Sequence, residues 1–240
     1  MTARTATHTR SFVTWIWEWT KSIVVALLVW FFLRTFLVEA FRIPSGSMEN
    51  TLLVGDFLFV NKALYGAEVP LIHSRLPAVR EPERSDILVF DSVEGEGLKV
   101  VKRLIGMPGD TLYMEDGQLY RDGQRVNEPY AMAADAQRSE DPIQRAKMRE
   151  WQLRYLVERN PATYQPDLQD WGPIVVPADS FFMMGDNRDS SYDGRYWGFL
   201  PRANVRGRPL VVYFSYDASS WHALPFLTAV RWGRIFTAPE

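Results

Sequence analysis

The sequence predicts a mostly β protein, with an antiparallel β-sheet body behind a single N-terminal transmembrane helix and an inserted, partly helical segment. Three observations carry that reading. One long apolar stretch lies near the N-terminus, at residues 22–38. Beyond residue 43, short apolar runs alternate with turn residues. One later segment, 144–159, breaks that rhythm with helical spacing. The 240 residues are 47% apolar, which is core enough to fold without staples. There is no cysteine, so a thiol nucleophile, a disulfide scaffold and Cys-based zinc modules are excluded. The formal net charge of −2 argues against a general nucleic-acid binder.

The N-terminal stretch reads as an anchor. Residues 22–33, SIVVALLVWFFL, carry no charge, and the apolar run continues past Arg34 to Val38. Its 17 residues sit at the short end of what a spanning helix needs, roughly 17–25. Arg34 lies near the end, where a long stem reaches the headgroups. Trp15, Trp17, Trp19 and Lys21 precede the run as an interfacial belt would. A cleaved export signal fits badly, because Phe36, Leu37, Phe41 and Arg42 follow where small residues are needed. The expected division is a cytoplasmic segment at 1–21, a span at 22–41, a β domain at 42–217 and a tail at 218–240. Residues 1–42 carry +3 and the rest −5. Arg4, Arg10 and Lys21 before the span favour a cytoplasmic N-terminus with the body outside.

The body follows in order. DFLFVN at 56–61, DILVF at 86–90 and LKVVKRLI at 98–105 have strand length and composition. Asp116-Gly117 and Asp122-Gly123 flank the short QLYR, which is the pattern of a β-meander. Later strands are expected at 174–176, 180–184 and 209–214. Between them, Met148, Trp151, Tyr155 and Leu156 are spaced as on an amphipathic helix, inside an insertion of about 128–172. The apolar stretch 224–236, with Arg231 and Arg234, is expected as a helix, on the membrane surface or packed on the sheet.

Three segments are unusual for a β protein. PSGSMENTL at 44–52 places Ser45 and Ser47 on either side of Gly46, directly behind the anchor. VVKRLIGMPGD at 100–110 sets Lys102 and Arg103 side by side in an apolar strand pattern, so that one of them faces the apolar side. A desolvated lysine loses basicity and serves as a general base at neutral pH, which arginine cannot do. MGDNRDSSYDGRYWGF at 184–199 interleaves aspartates with arginines, as charge-assisted loop closure requires. Taken singly, each is also compatible with an ordinary turn, an exposed strand edge or a solvated loop. His8, His73 and His222 are far apart, and no metal-ligand spacing, Walker loop or dinucleotide fingerprint is present. No cofactor or metal is expected.

Together, in this order behind an anchor, these segments resemble the type I signal peptidases (leader peptidases), membrane-bound serine proteases with a Ser-Lys dyad. The resemblance covers the anchor and most of 41–217, and implies a signal-peptidase-like fold. It implies Ser47 as nucleophile and Lys102 as general base, with the Ser45 hydroxyl and the Ser47 N–H as oxyanion hole. It implies Ser191 as the serine that orients the lysine, and Asp186, Arg188, Asp193 and Arg195 as the supporting loop. One position departs: the family's SGSMxPTL pattern has proline where this chain has Asn50, so a less rigid turn is expected there. The implied substrates are signal-peptide-bearing precursors cut after small residues, Ala-x-Ala-like. Shallow pockets for those residues are expected from Ile43, Pro44, Met48, Leu52 and Val100. The implied setting is a bacterial inner membrane, with the lipid bilayer as second partner, the catalytic domain on the periplasmic face, no nucleic acid and a monomeric enzyme. The competing readings are an anchored β-domain binding or scaffold protein and a self-cleaving repressor-type protease. The repressor type needs a DNA-binding domain where this chain has a hydrophobic span.

Overall fold

The structure, a computed structural model, describes residues 12–69, 74–95, 97–132 and 141–240. Helix α1 (Phe12–Phe32) runs on as a π-helical turn over Leu33–Leu37 and passes without a loop into strand β1 (Val38–Arg42). The apolar helical length Thr14–Leu37 has a mean hydropathy of 1.7 and is not buried against the rest of the chain. The helix thus starts well before the expected 22 and stops short of 41. Its end is set by tertiary pairing. Val38–Arg42 lies antiparallel to β2 (Asp56–Asn61), with Val38 opposite Asn61 and Arg42 opposite Phe57. Arg4 and Arg10, two of the charges used for orientation, lie outside the described residues, as do His8 and His73.

The remaining strands are β3 (Ile87–Asp91), β4 (Lys99–Gly106), β5 (Thr111–Glu115), β6 (Gln118–Arg121) and β7 (Gln124–Arg125). Beyond the insertion come β8 (Trp171–Val175), β9 (Ser180–Met184), β10 (Leu200–Pro201) and β11 (Val205–Ser215). They form two sheets, one of order β1-β2-β11-β3-β4-β9-β10 and one of order β7-β6-β5-β8. All named pairs are antiparallel. The long β11 joins the halves of the large sheet: its end pairs with β2 and its start with β3, across register shifts that bend it.

The expected strands are present within a few residues, and the meander forms as β5-β6-β7. Asp116 and Gly117, then Asp122 and Gly123, all take positive φ, which a tight two-residue hairpin turn requires. The large sheet is covered on both faces around β3. Ile87 and Val89 pack with Ile43, Met48, Leu52, Leu58 and Val101, while Leu88 and Phe90 pack with Tyr65, Leu104, Phe181 and Met183. A third cluster, with Trp171, Ile174, Leu112 and Phe182, binds the small sheet to the large one.

The insertion contains helix α2 (Pro142–Gln152). Asp141 caps it, accepting a hydrogen bond from the Ile143 N–H, and Pro142 fits the first turn. It seats Met148 in the third cluster. The helix ends before Tyr155 and Leu156, because Leu156 bridges to Ile174 of β8. The helix expected over 224–236 is not formed. Only a turn, α4 (Pro225–Thr228), is helical, and a 3₁₀ turn follows at Trp232–Arg234. Tertiary bonds win here. Tyr216 bridges to Val230, Phe236 N–H bonds to the Val212 carbonyl and Val212 N–H to the Thr237 carbonyl.

Arg234 fastens this return. Its guanidinium donates to Asp56 at 2.6–3.2 Å and to the Thr51 carbonyl at 2.9 Å. Asp56 is fully buried and also accepts from Ser215 Oγ and Leu53 N–H. Removing one partner of a buried pair strands the other charge. Arg234→Ala is expected to destabilise the fold by roughly 2 kcal/mol. Arg231→Ala, whose carboxylate partner Asp217 is exposed and whose other bond is to the Val54 carbonyl, is expected to cost under about 1 kcal/mol. Thermal unfolding of the two variants side by side checks the order.

Candidate active site

Strand β4 carries two adjacent cations, and both are buried: Lys102 is 3% and Arg103 2% exposed. Because neighbours on a strand face opposite ways, each must find its own partner. Lys102 Nζ donates to Ser47 Oγ at 2.5 Å. Ser47 is presented by a 3₁₀ turn, Gly46–Met48, between β1 and β2. Met48 is buried behind it in the core, so the turn is held by its own apolar residue.

Burial drives the Lys102 pKa down to about 8. The Asp193 and Asp186 carboxylates oppose the drop and the Arg195 guanidinium adds to it, but desolvation is the largest cause. A partly neutral amine at physiological pH is the result.

Arg103, on the other side of the strand, takes Asp186 in a two-pronged bond, Nε to Oδ1 at 2.8 Å and Nη2 to Oδ2 at 2.7 Å. Thr51 Oγ1 donates to the same carboxylate at 2.5 Å, and the Tyr130 ring lies 3.9 Å under the guanidinium. Asp186 thereby locks β4 to the segment behind β9. Asp193 is equally buried. It accepts from the Gly185 N–H at 3.0 Å and from Arg195 Nε and Nη2 at 2.9 Å. Burial alone would raise its pKa, but Arg195 and, further off, Lys102 outweigh that and hold it below the usual carboxylate range. Arg195 reaches on to the Arg188 carbonyl at 2.5 Å, and Arg188 pairs with Glu128 of the insertion at 2.5 and 2.8 Å.

This loop grips the Ser47 turn directly. Asn187 N–H bonds to the Ser47 carbonyl and Asn187 Nδ2 to the Gly46 carbonyl, both at 3.1 Å. Gly185 has no room for a side chain. A Cβ there would stand 2.2 Å from Ser191 Oγ and 2.4 Å from the Ser47 carbonyl oxygen. Ser191 is therefore close to the Ser47 turn. Its hydroxyl is buried and has no hydrogen-bond partner among the described residues.

A cleft of about 360 Å³ opens on Ser47 and Lys102. Of the residues expected to shape it, Ile43, Pro44, Met48 and Val100 line it, and so does Ser45. Leu52 does not: it is fully buried in the core beneath Met48. Phe41, Leu98, Lys99, Val101, Ser190 and Tyr192 complete the lining. A larger cavity of about 710 Å³ lies elsewhere, beside the β5–β6 hairpin, and includes neither Ser47 nor Lys102.

The sequence fits the family model for signal peptidase, peptidase S26, over residues 16–214. The chain belongs to the signal peptidase family. It is similar to signal peptidase I of Pseudomonas aeruginosa, 35% identical over 226 residues that cover 89% of this chain and 78% of that one. Signal peptidase I of Pseudomonas fluorescens is 35% identical over 224 residues, with the same coverage. A solved signal peptidase I from Enterococcus faecalis is 30% identical, covering 55% of this chain and 98% of that chain at a TM-score of 0.36. The chain is accordingly a serine endopeptidase of the family that removes signal peptides.

Asn50, where the family pattern has proline, has φ 86°. Proline is fixed near −65° and cannot take that conformation, whereas asparagine tolerates it. Asn50 Nδ2 also donates to the Tyr130 carbonyl at 2.9 Å, so the turn is tied down by a bond instead of a ring. Arg103, Thr51, Asn187, Glu128 and Gly185 were not named from sequence as site residues. Arg103 had a signal, a second cation in an apolar strand that must find an acid. Glu128 had none, because its pairing spans 60 positions.

The depressed Lys102 pKa has a stability consequence. Its ordinary value is 10.5 and its folded value about 8, so the unfolded chain binds the proton more tightly. At roughly 1.4 kcal/mol per unit, the fold is weakened by about 3 kcal/mol below pH 8. The penalty fades as pH rises from about 8 to 10.5. Lys102→Met is expected to raise Tm at pH 7, with the gain vanishing toward pH 10. Melting curves at both pH values check it, and a pH-independent gain would contradict it.

Proposed function

We propose that the chain is a membrane-anchored signal peptidase in which Ser47 is the nucleophile and Lys102 the general base, cleaving exported precursors after small residues. The observation that carries this reading is the buried 2.5 Å contact between Lys102 Nζ and Ser47 Oγ, with the lysine pKa pushed down to about 8. Neutral Lys102 takes the Ser47 proton as Oγ attacks the scissile carbonyl. The Ser45 hydroxyl and the Ser47 N–H donate to the oxyanion, a contribution of roughly 3–4 kcal/mol per donor. The lysinium then protonates the leaving amine as the C–N bond breaks. Water, deprotonated by the same amine, hydrolyses the acyl-enzyme ester and restores Ser47. Asp186, Arg188, Asp193 and Arg195 act by holding the Ser47 turn against β4, and Ser191 supplies a hydroxyl beside that turn to orient the lysine.

Substrate choice follows from strand pairing. β4 pairs with β3 along Lys99–Arg103, but its other side meets β9 only from Arg103 onward. The edge at 99–102 is therefore available to an extended precursor, whose backbone gives affinity and whose alternate side chains enter the cleft. Ile43, Pro44, Met48 and Val100 leave room for small side chains there.

Localisation rests on the anchor. Thr14–Leu37 is long and apolar enough to cross a bilayer, the relatives are bacterial, and Ser47 lies nine residues beyond Val38. The protein is read as single-pass in the bacterial inner membrane, with the N-terminus cytoplasmic and the β domain on the periplasmic face. The bilayer is a working partner that brings membrane-inserted precursors to the cleft. One copy carries every group the reaction uses, so the working unit is the monomer.

Two measurements test this. In detergent, the wild type should cleave a preprotein after the second small residue of its Ala-x-Ala segment. Ser47→Ala and Lys102→Ala, matched to it by circular dichroism, should lose at least about 10³-fold in kcat. Cleavage surviving in either folded variant would reassign that role. Because the base must be neutral, kcat/KM should climb with pH through an apparent pKa of about 8. That limb should be untouched by His222→Ala, since His222 is exposed; a limb lost in that variant would sink the dyad.

A further inference from the structure

Tyr192 stands at the lip of the cleft that holds Ser47 and Lys102, between Ser191 and Asp193. The cleft floor is buried, with Ile43, Met48 and Val101 all under 8% exposed, whereas Tyr192 is 40% exposed. Its ring stacks on Tyr196, centroids 5.1 Å apart and planes 8° from parallel. Its hydroxyl accepts from Lys147 Nζ at 2.5 Å and donates to Glu94 Oε1 at 2.9 Å. Lys147 also bonds to Glu94. The ammonium lies 5.2 Å from the ring centre and within bonding distance of the hydroxyl, so it holds the hydroxyl end of the ring.

These groups come from three separate parts of the chain. Glu94 is in the β3–β4 connection, Lys147 on α2 of the insertion, and Tyr192 in the loop that supports Ser47. An exposed tyrosine ordinarily samples several rotamers. Here one face is fixed by Tyr196 and the tip by an ammonium and a carboxylate. The ring is thereby held as a rigid aromatic wall beside the cleft.

We propose that Tyr192, pinned by Lys147 and Glu94, is a specificity-determining wall for the middle residue of the small-x-small segment, and that pinning it is a task of helix α2. The proposal rests on the reading above, in which an extended precursor pairs with β4. On an extended chain alternate side chains point to opposite sides. When the two small residues enter the apolar floor, the middle one points to the rim, where Tyr192 stands. An aromatic face there favours a side chain long enough to lie along it over one that ends at Cβ or earlier. Lys147 and Glu94 offset each other in charge, so length, more than sign, is selected. Lys147 and Glu94 touch no reacting atom and act as positioning residues.

The test uses the full-length enzyme in detergent and paired peptides that differ only in x, Leu against Gly. Wild type should prefer Leu by about fivefold in kcat/KM, the factor that roughly 1 kcal/mol gives. Tyr192→Ala should bring the ratio near one, chiefly by raising KM for the Leu peptide. Lys147→Met, Glu94→Gln and Tyr192→Phe should each give an intermediate ratio, and Lys147→Arg should restore it. Tyr192→Phe keeps the ring stack, so it reports even where the alanine variant folds poorly. A wild-type ratio near one, or an unchanged ratio in an active Tyr192→Ala, would overturn the proposal. Ser47→Ala in the same assay separates the two ideas: cleavage surviving there is a failure of the dyad alone.

Discussion

A buried amine facing a hydroxyl is the constraint around which this protein is built. Water would solvate Lys102 and return it to its ordinary basicity. Enclosed by the sheet, its pKa is pushed down to about 8 and it meets Ser47 Oγ at 2.5 Å. That environment costs stability, since the fold must hold a group that prefers to be charged in a place that disfavours charge. The compensation comes from neighbours that are fully paired. Asp193 lends enough negative potential to stop the pKa falling further, and its own charge is absorbed by Arg195.

The second cation of β4 explains why the support is so extensive. Arg103 cannot shed its proton, so it needs a permanent anion, and Asp186 supplies one from beyond β9. Meeting that need draws the loop after β9 onto the sheet. The same loop then bonds through Asn187 to the backbone of the Ser47 turn. One pairing required by electrostatics thus fixes the position of the hydroxyl on the opposite face of the strand. Arg188 carries the linkage outward to Glu128, Asn50 to Tyr130 and the Asp186 carbonyl to the Met132 N–H, so the start of the insertion is attached at several points.

The anchor contributes geometry of another kind. With no loop between Leu37 and Val38, the membrane helix and β1 form one continuous piece of backbone. The cleft is walled by Phe41 of β1 on one side and by β4 on the other. Its distance from the helix end is therefore set by a strand, which is stiff, and by a single 3₁₀ turn. Arg234 and Asp56 keep β2 and the returning C-terminal segment together behind that turn.

Much was legible from sequence, because it is local. Alternation and turn chemistry give β2, β9 and the β5–β6–β7 meander, where Asp-Gly pairs take the positive φ they favour. The apolar run gives the helix, and side-by-side Lys102 and Arg103 in an apolar strand announce two charges in need of partners. What sequence could not decide is which elements compete successfully for the same backbone. Residues 38–41 follow the helix without a break, yet β2 claims them as a strand. Residues 224–236 are an apolar stretch long enough for a helix, yet β11 and Asp56 hold them as turns and bridges. Leu52 follows the site motif closely in sequence but faces the core. The charged side-chain partners of Arg103, Arg188 and Tyr192 come from segments 45 to 98 positions away. No local rule encodes such pairings; they exist because sheet topology brings distant charges into a medium where none can stay unpaired.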